Sequence, residues 1–264
     1  SNAGLGKDFS GNTNYWTTNN ISITSGATYD SMIDTPTDAT SATQPVSNYA
    51  TFNPLTNSTV TLSNGNLSVA YSTYTNWIKG TLGVTSGKWY WECSPTLSYG
   101  VFGLCLSTTS TAVEPRLGVG TWWYSGYDGQ KFNNSGTGSA YGATYGVGDV
   151  IGIAFDADAG NVVFYKNNVS QGTAFTGLTS GPYFPAVGYE SSASWSANIN
   201  FGQRPFTYTP PSGYSSLCTS NITAPADASK WFYGSNPDFI WFKNRTTANN
   251  HSLNDSVQIG RAHV

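Results

Sequence analysis

The run Gly148-Asp-Val-Ile-Gly-Ile-Ala-Phe-Asp-Ala-Asp-Ala-Gly-Asn-Val-Val-Phe-Tyr-Lys166 decides the fold. In an extended chain, successive side chains point to opposite faces. Ile151, Ile153 and Phe155 then share one face, and Val150, Gly152 and Ala154 share the other. Both faces are apolar, which predicts a central strand covered on both sides. Asp156-Ala-Asp-Ala-Gly160 has turn chemistry: Asp accepts backbone N–H groups and Gly takes positive φ. Asn161–Lys166 is the returning strand. The spacing of Asp156, Asp158 and Gly160 also resembles the opening of a calcium loop. That motif requires Gly at its sixth position and Glu at its twelfth, which are Asn161 and Asn167 here. The stretch therefore reads as a plain hairpin turn.

Outward from this hairpin, short strands separated by Gly, Asn and Ser recur along the chain. Ser63-Asn-Gly-Asn66 separates Thr59–Leu62 from Leu67–Tyr71, a strong hairpin signal. Further strands are expected at Lys88–Cys93, Tyr99–Leu106, Arg116–Tyr124, Tyr183–Tyr189 and Ala197–Phe201. No segment shows a helical period with caps. The expected fold is all-β, a two-sheet antiparallel β-sandwich.

Composition agrees. Only 9% of the 264 residues are charged, against about 25% in ordinary domains. There are 33 Ser, 33 Thr, 24 Asn and 29 Gly, and only three Glu, so long helices are excluded. Eleven basic against 14 acidic residues leave no footprint for nucleic acid. No apolar run approaches the roughly 18 residues of a membrane-spanning helix. With a net charge of −3 and 15% aromatics, disorder is excluded too. The odd set Cys93, Cys105 and Cys218 makes no disulfide framework. In strands, Cys93 and Cys105 read as buried free thiols.

Residues 48–216 form the expected sandwich, preceded by an irregular arm at 4–47. Ser1-Asn-Ala3 reads as the scar of a cleaved expression tag. Residues 217–258 read as a fragment of a following β domain, too short to fold alone. Ile259-Gly-Arg-Ala-His-Val264 matches the translation of a sequencing adapter. On that reading the natural frame was cut near Val257, and His251 is the only native histidine.

From Gly87 to Phe206 the chain resembles a SPRY domain. The resemblance rests on Ser86-Gly-Lys-Trp-Tyr-Trp-Glu92, Gly126-Tyr-Asp-Gly-Gln-Lys-Phe-Asn133 and Gly148–Asp156, followed by Val163–Ser170, Tyr183–Gly188 and Asn200-Phe-Gly202. It implies two packed antiparallel sheets, no catalysis, and binding of a protein or peptide through loops at one end. The loops implied are Ser107–Pro115 and Tyr189–Trp195. Outside the domain, Tyr49–Leu55, Leu217–Thr219 and Pro237–Arg245 resemble segments of bacteriophage structural or tail-associated proteins. That resemblance implies a virion setting with neighbouring domains of a larger protein as partners.

Chemistry is scarce. A glycosidase needs two acids about 5–9.5 Å apart. Glu92, Glu114 and Glu190 share no local motif, so a polysaccharide-degrading enzyme is a weak alternative. Scattered cysteines and one native histidine offer no zinc site, and no cofactor is implied. The aromatics leave two readings open. One is core packing, the default for Trp89 or Trp91 and for one of Trp122 and Trp123. The other is stacking on sugar rings or peptide side chains, with Tyr71, Tyr74 and Trp77 exposed in a Ser/Thr-rich stretch. The candidate ligand residues are Tyr74, Trp77, Glu114, Arg116, Trp123, Tyr124, Tyr189 and Glu190. The expected function is recognition of a protein or glycan; a purely architectural domain is the alternative.

Overall fold

The computed structural model describes residues 48–222, apart from 58, 72–76, 98, 112–113, 135 and 190–193. It also describes the strand backbones at 239–242, 252–255 and 262–263. The expected N-terminal arm lies outside these residues. The chain divides into two compact units, Ser1–Ile222 and Thr223–Val264. In the second, Phe239–Phe242, Ser252–Asp255 and Ala262–His263 form a three-stranded antiparallel sheet.

The first unit is the antiparallel sandwich. Its strands are β1 (Thr61–Ser63), β2 (Ser68–Tyr71), β3 (Trp77–Lys79), β4 (Lys88–Leu97), β5 (Val101–Leu106), β6 (Thr121–Ser125) and β7 (Gln130–Asn133). They continue with β8 (Ser139–Ala140), β9 (Ile151–Asp156), β10 (Asn161–Lys166), β11 (Val169–Phe175), β12 (Tyr183–Gly188), β13 (Trp195–Asn200) and β14 (Ser215–Ser216). Sheet one runs β1-β2-β13-β4-β9-β10-β11, with β14 parallel beside the start of β4. Sheet two runs β3-β12-β5-β6-β7-β8. No α-helix occurs among the described residues.

As its two apolar faces require, β9 lies between β4 and β10, and all six of its residues are buried. Trp89 pairs with Phe155, Trp91 with Ile153 and Cys93 with Ile151. Two residues apart, Trp89 and Trp91 face the same way, so both enter the core rather than one of them. Tyr90 takes the outer face, edge-on to Phe206 at 5.0 Å. A Cβ at Gly152 would stand 2.4 Å from the Tyr90 hydroxyl, which accounts for a glycine inside the apolar run. At the hairpin turn, Asp156 Oδ1 accepts the Ala159 N–H at 2.9 Å and Gly160 takes φ 68°.

The central strands of sheet two, β12, β5 and β6, are buried on both faces. Phe102, Leu104, Trp122, Tyr124, Tyr183 and Val187 point into the sandwich. Trp77, Val101, Cys105, Trp123, Phe132 and Ala186 form a second apolar cluster on the opposite face. The described parts of the connection from β5 to β6, residues 107–111 and 114–120, fold back over that cluster as a strap. Lys79 Nζ donates to Ser107 O at 2.6 Å, and the Thr111 hydroxyl donates to Thr56 O. Arg116–Tyr124 is accordingly not one strand. Pro115–Leu117 is a 3-10 turn, Gly120 takes φ 78°, and pairing starts only at Thr121. Proline has no N–H for a ladder, and the left-handed glycine redirects the chain.

The chain enters and leaves the sandwich at adjacent points. Tyr49 bridges Cys218, Ala50 N–H donates to Leu217 O at 3.0 Å, and Thr219 N–H donates to Asn48 O at 2.9 Å. Ser215 pairs with Trp89, so both points lie toward the Lys88 end of β4.

Trp123 and Trp77 lie ring to ring at 5.4 Å under the strap, both buried. Trp123→Ala is expected to lower stability by about 3–5 kcal/mol, the range of buried aromatic truncations. Urea unfolding measures it. A loss well under 1 kcal/mol would mean that the strap does not seal this cluster.

Candidate interaction site

The strap brings the two family-implied connections together. A Cβ at Gly188 would lie 2.7 Å from Pro115 Cγ and 2.8 Å from Trp77 Cβ. Pro115 therefore seats directly on Gly188, where the Tyr189 connection begins. Arg116 follows, its guanidinium carbon 4.0 Å from the centre of the Phe132 ring. Its Nη2 reaches Asp128 Oδ2 at 3.4 Å, in the turn between β6 and β7. Asp128 Oδ1 in turn accepts the Gln130 N–H at 3.1 Å, which shapes that turn.

Next to Asp128 stands Tyr127, 63% exposed. It begins a ladder of rings that runs into the core. Tyr127 and Tyr99 are 5.0 Å apart, Tyr99 and Tyr189 5.5 Å, and Tyr189 stacks on Trp195 at 5.8 Å and 11°. Two close backbone approaches hold the outer rungs. Gly126 N–H donates to Gly100 O at 2.9 Å, clasping the turn that carries Tyr127 to the crossing that carries Tyr99. A Cβ on Gly100 would lie 2.3 Å from Trp195, and one on Gly126 2.7 Å from Tyr145. Tyr145 N–H donates to Gly126 O at 3.0 Å, and its hydroxyl lies 2.9 Å from Gly100 O.

This rim lies at the Leu97 end of β4, opposite the half where the chain enters and leaves. Exposed Leu97 and Val147 belong to the same end, as does Val169 after the β10–β11 turn. Two ion pairs lie at this end: Arg116 with Asp128 at 3.4 Å, and Lys166 with Asp149 at 3.3 Å. Burial opposes ionisation of Asp149, but the Gly146 N–H, Asn167 and Lys166 outweigh it and hold the carboxyl below its usual range.

Several expected ligand residues lie elsewhere. Trp77, Trp123, Tyr124 and Tyr189 are buried and offer no face to a ligand, and Tyr71 is also buried. Tyr124 points into the sandwich, against Tyr141, Tyr145 and Phe164, with its hydroxyl on Ala143 O. Trp77 and Trp123 do alternate outward, but the strap covers that face, and strand alternation alone does not reveal a cover. Tyr189 is an inner rung of the ladder. Glu114 and Arg116 are half-buried at the strap's tip. Tyr74 and Glu190 lie outside the described residues. Tyr99, Tyr127 and Asp128 belong to the rim and were not expected. Their sequence signal is an aromatic at the tip of a Gly-x-x-Gly turn, Gly126-Tyr-Asp-Gly129.

The carboxylates do not face one another. Glu92 lies on the outer face of sheet one and Glu114 on the strap outside sheet two, separated by both sheets, which pack about 10 Å apart. Glu92 accepts the Thr207 and Tyr208 N–H groups at 2.8 and 2.9 Å and the Tyr90 hydroxyl at 3.2 Å. It borders a polar cavity of about 20 Å³ with Asn198, Asn200 and Arg204. That is room for about one water. Among the described residues, no three His, Cys, Asp or Glu side chains converge to hold a metal.

Residues 88–204 match the family model of the SPRY domain. The SPRY match thus covers 117 of the 264 residues, and the two packed antiparallel sheets agree with it. Among curated proteins it is similar to Ran-binding protein 9 of Xenopus tropicalis, 34% identical over 159 residues, covering 56% of this chain and 29% of that protein. It is also 33% identical over 142 residues to the E3 ubiquitin-protein ligase RKP of Arabidopsis thaliana, covering 51% of this chain and 11% of that protein. The chain thus spans less than a third of each. The crystal structure of the SPRY domain of human HERC1 superposes with a TM-score of 0.50 at 21% identity, covering 56% of this chain and 96% of that one, which shows the fold. These relatives are eukaryotic and lend no support to the bacteriophage setting expected from the flanking segments.

Burial raises the pKa of Glu92, and the N–H groups of Thr207 and Tyr208 only partly oppose it. A carboxyl whose folded pKa lies above its unfolded value gains proton affinity on folding. Its contribution to stability therefore rises as pH falls from the folded value toward the unfolded one, about 4.3. The stability of the wild type relative to Glu92→Gln should accordingly increase between pH 7 and pH ~4.5. Urea midpoints at several pH values measure this; a decrease over that window would show that the hydrogen bonds outweigh burial.

Proposed function

We propose that the chain is a non-enzymatic recognition module that engages a protein through the rim built by the strap tip, the Gly126–Gly129 turn and Tyr99. The SPRY domain is a protein-interaction module, and one observation carries the assignment of its binding end. A rigidly clasped, exposed aromatic stands opposite the point where the chain enters and leaves. A rigid anchor loses little side-chain entropy on binding. Burial of Trp77 and Trp123 removes the broad indole faces on which a sugar would stack, which favours a protein over a glycan. A virion setting is supported only by the resemblance of the flanking segments to bacteriophage structural proteins. In that setting the partner would be a neighbouring virion protein or a host surface protein.

The test is retention on an immobilised protein array. The wild type should retain a small set of proteins, and Glu114→Arg combined with Tyr127→Arg should lose them. Thr179→Arg, at the opposite end, should retain them. Equal loss from the two ends, or retention of nothing together with concentration-dependent self-association in light scattering, would favour the architectural alternative.

A further inference from the structure

The chemistry of the rim says what kind of segment it takes, given that the rim is the binding end. We propose that the Tyr127–Tyr99 pair is the anchor for an uncharged, proline-bearing peptide segment in the polyproline II conformation. Three observations converge on this.

First, the sheet edges are closed to an added strand. At the β3 edge, Trp77 O accepts Asn57 Nδ2 at 3.3 Å and Lys79 O accepts the Asn53 N–H at 2.9 Å. At the β11 edge, Gly172 O accepts the Tyr141 hydroxyl at 2.6 Å and Ala174 O accepts Lys131 Nζ. The remaining edges, β1 and β8, are three and two residues long. A peptide cannot be read by backbone pairing here, so it must be read by its side chains. Second, a polyproline II segment keeps its backbone solvated and needs no strand partner. Aromatic-lined surfaces recognise it through its prolyl rings, and its bound shape is already populated when free. The exposed face of Tyr127, backed by Tyr99, is such a surface and is held by the Gly100–Gly126 clasp. Third, four charges at this end are taken up in the pairs Arg116–Asp128, beside Tyr127, and Lys166–Asp149. A charged group set against either pair would have to break it to be matched, so complementarity beside Tyr127 favours a neutral segment.

The test is selection of a random displayed dodecapeptide library on the full chain, followed by titration of the enriched peptides in fluorescence anisotropy. Enriched peptides should be neutral and carry proline. Tyr127→Ala should weaken their binding about tenfold or more, as loss of a central anchor does. Tyr127→Phe should keep it within about twofold, since the ring face and not the hydroxyl is used. Because Tyr127 is exposed, both variants should unfold at the wild-type temperature. Enrichment of charged or proline-free peptides, or binding that survives Tyr127→Ala, would overturn this inference and leave the rim's role as a protein site standing. If no peptide is enriched and the protein array also retains nothing, both fall.

Discussion

Gly100 and Gly126 approach the Trp195 and Tyr145 rings closer than any Cβ would allow, and the binding end depends on that contact. Here the chain crosses from β4 in sheet one to β5 in sheet two, and the β6–β7 turn is fastened to the crossing by one backbone hydrogen bond. The aromatic ladder then continues outward without interruption. Its inner rungs have the packing of a core, and its outermost ring has the exposure of a ligand contact. Rigidity at the surface is thus inherited from the interior, because close-packed side chains transmit constraint.

The strap has a parallel role on the flank of sheet two. Its seat on Gly188 turns an outer sheet face into a second core around Trp77 and Trp123. The same segment places Arg116 between Phe132 and Asp128. One connection therefore seals an apolar face and shapes the turn that presents Tyr127. With charge so scarce in this chain, these few half-buried ion pairs settle orientation more than stability, since pairs that water still reaches contribute little.

Much of the fold was legible in residues. The two apolar faces of Val150–Phe155 located the central strand, and Asn64-Gly65 located a hairpin. β11 was not legible, because Ser170, Gln171, Gly172 and Thr173 show no alternation and the strand is bulged against β10. β3 is three residues long and gives no period. The site was less legible than the fold. Alternation put one of Trp122 and Trp123 in the core without saying which, and the other, Trp123, is buried as well, because the strap covers its face through contacts between residues far apart in sequence. Tyr127 entered the sequence reading only as part of the Gly126–Asn133 motif, and the crossing at Gly100 reveals it as the end of a ladder.

The central claim is that the rim is preorganised by its clasp to the core. Native-state amide exchange of Gly126 measures this most directly, because its N–H is the clasp. Opening of the clasp should require opening of the sandwich, so this amide should exchange as slowly as those of β9, near the global unfolding limit. Exchange of Gly126 at the rate of an exposed turn such as that at Gly213, while β9 stays protected, would show a loose rim and contradict the account.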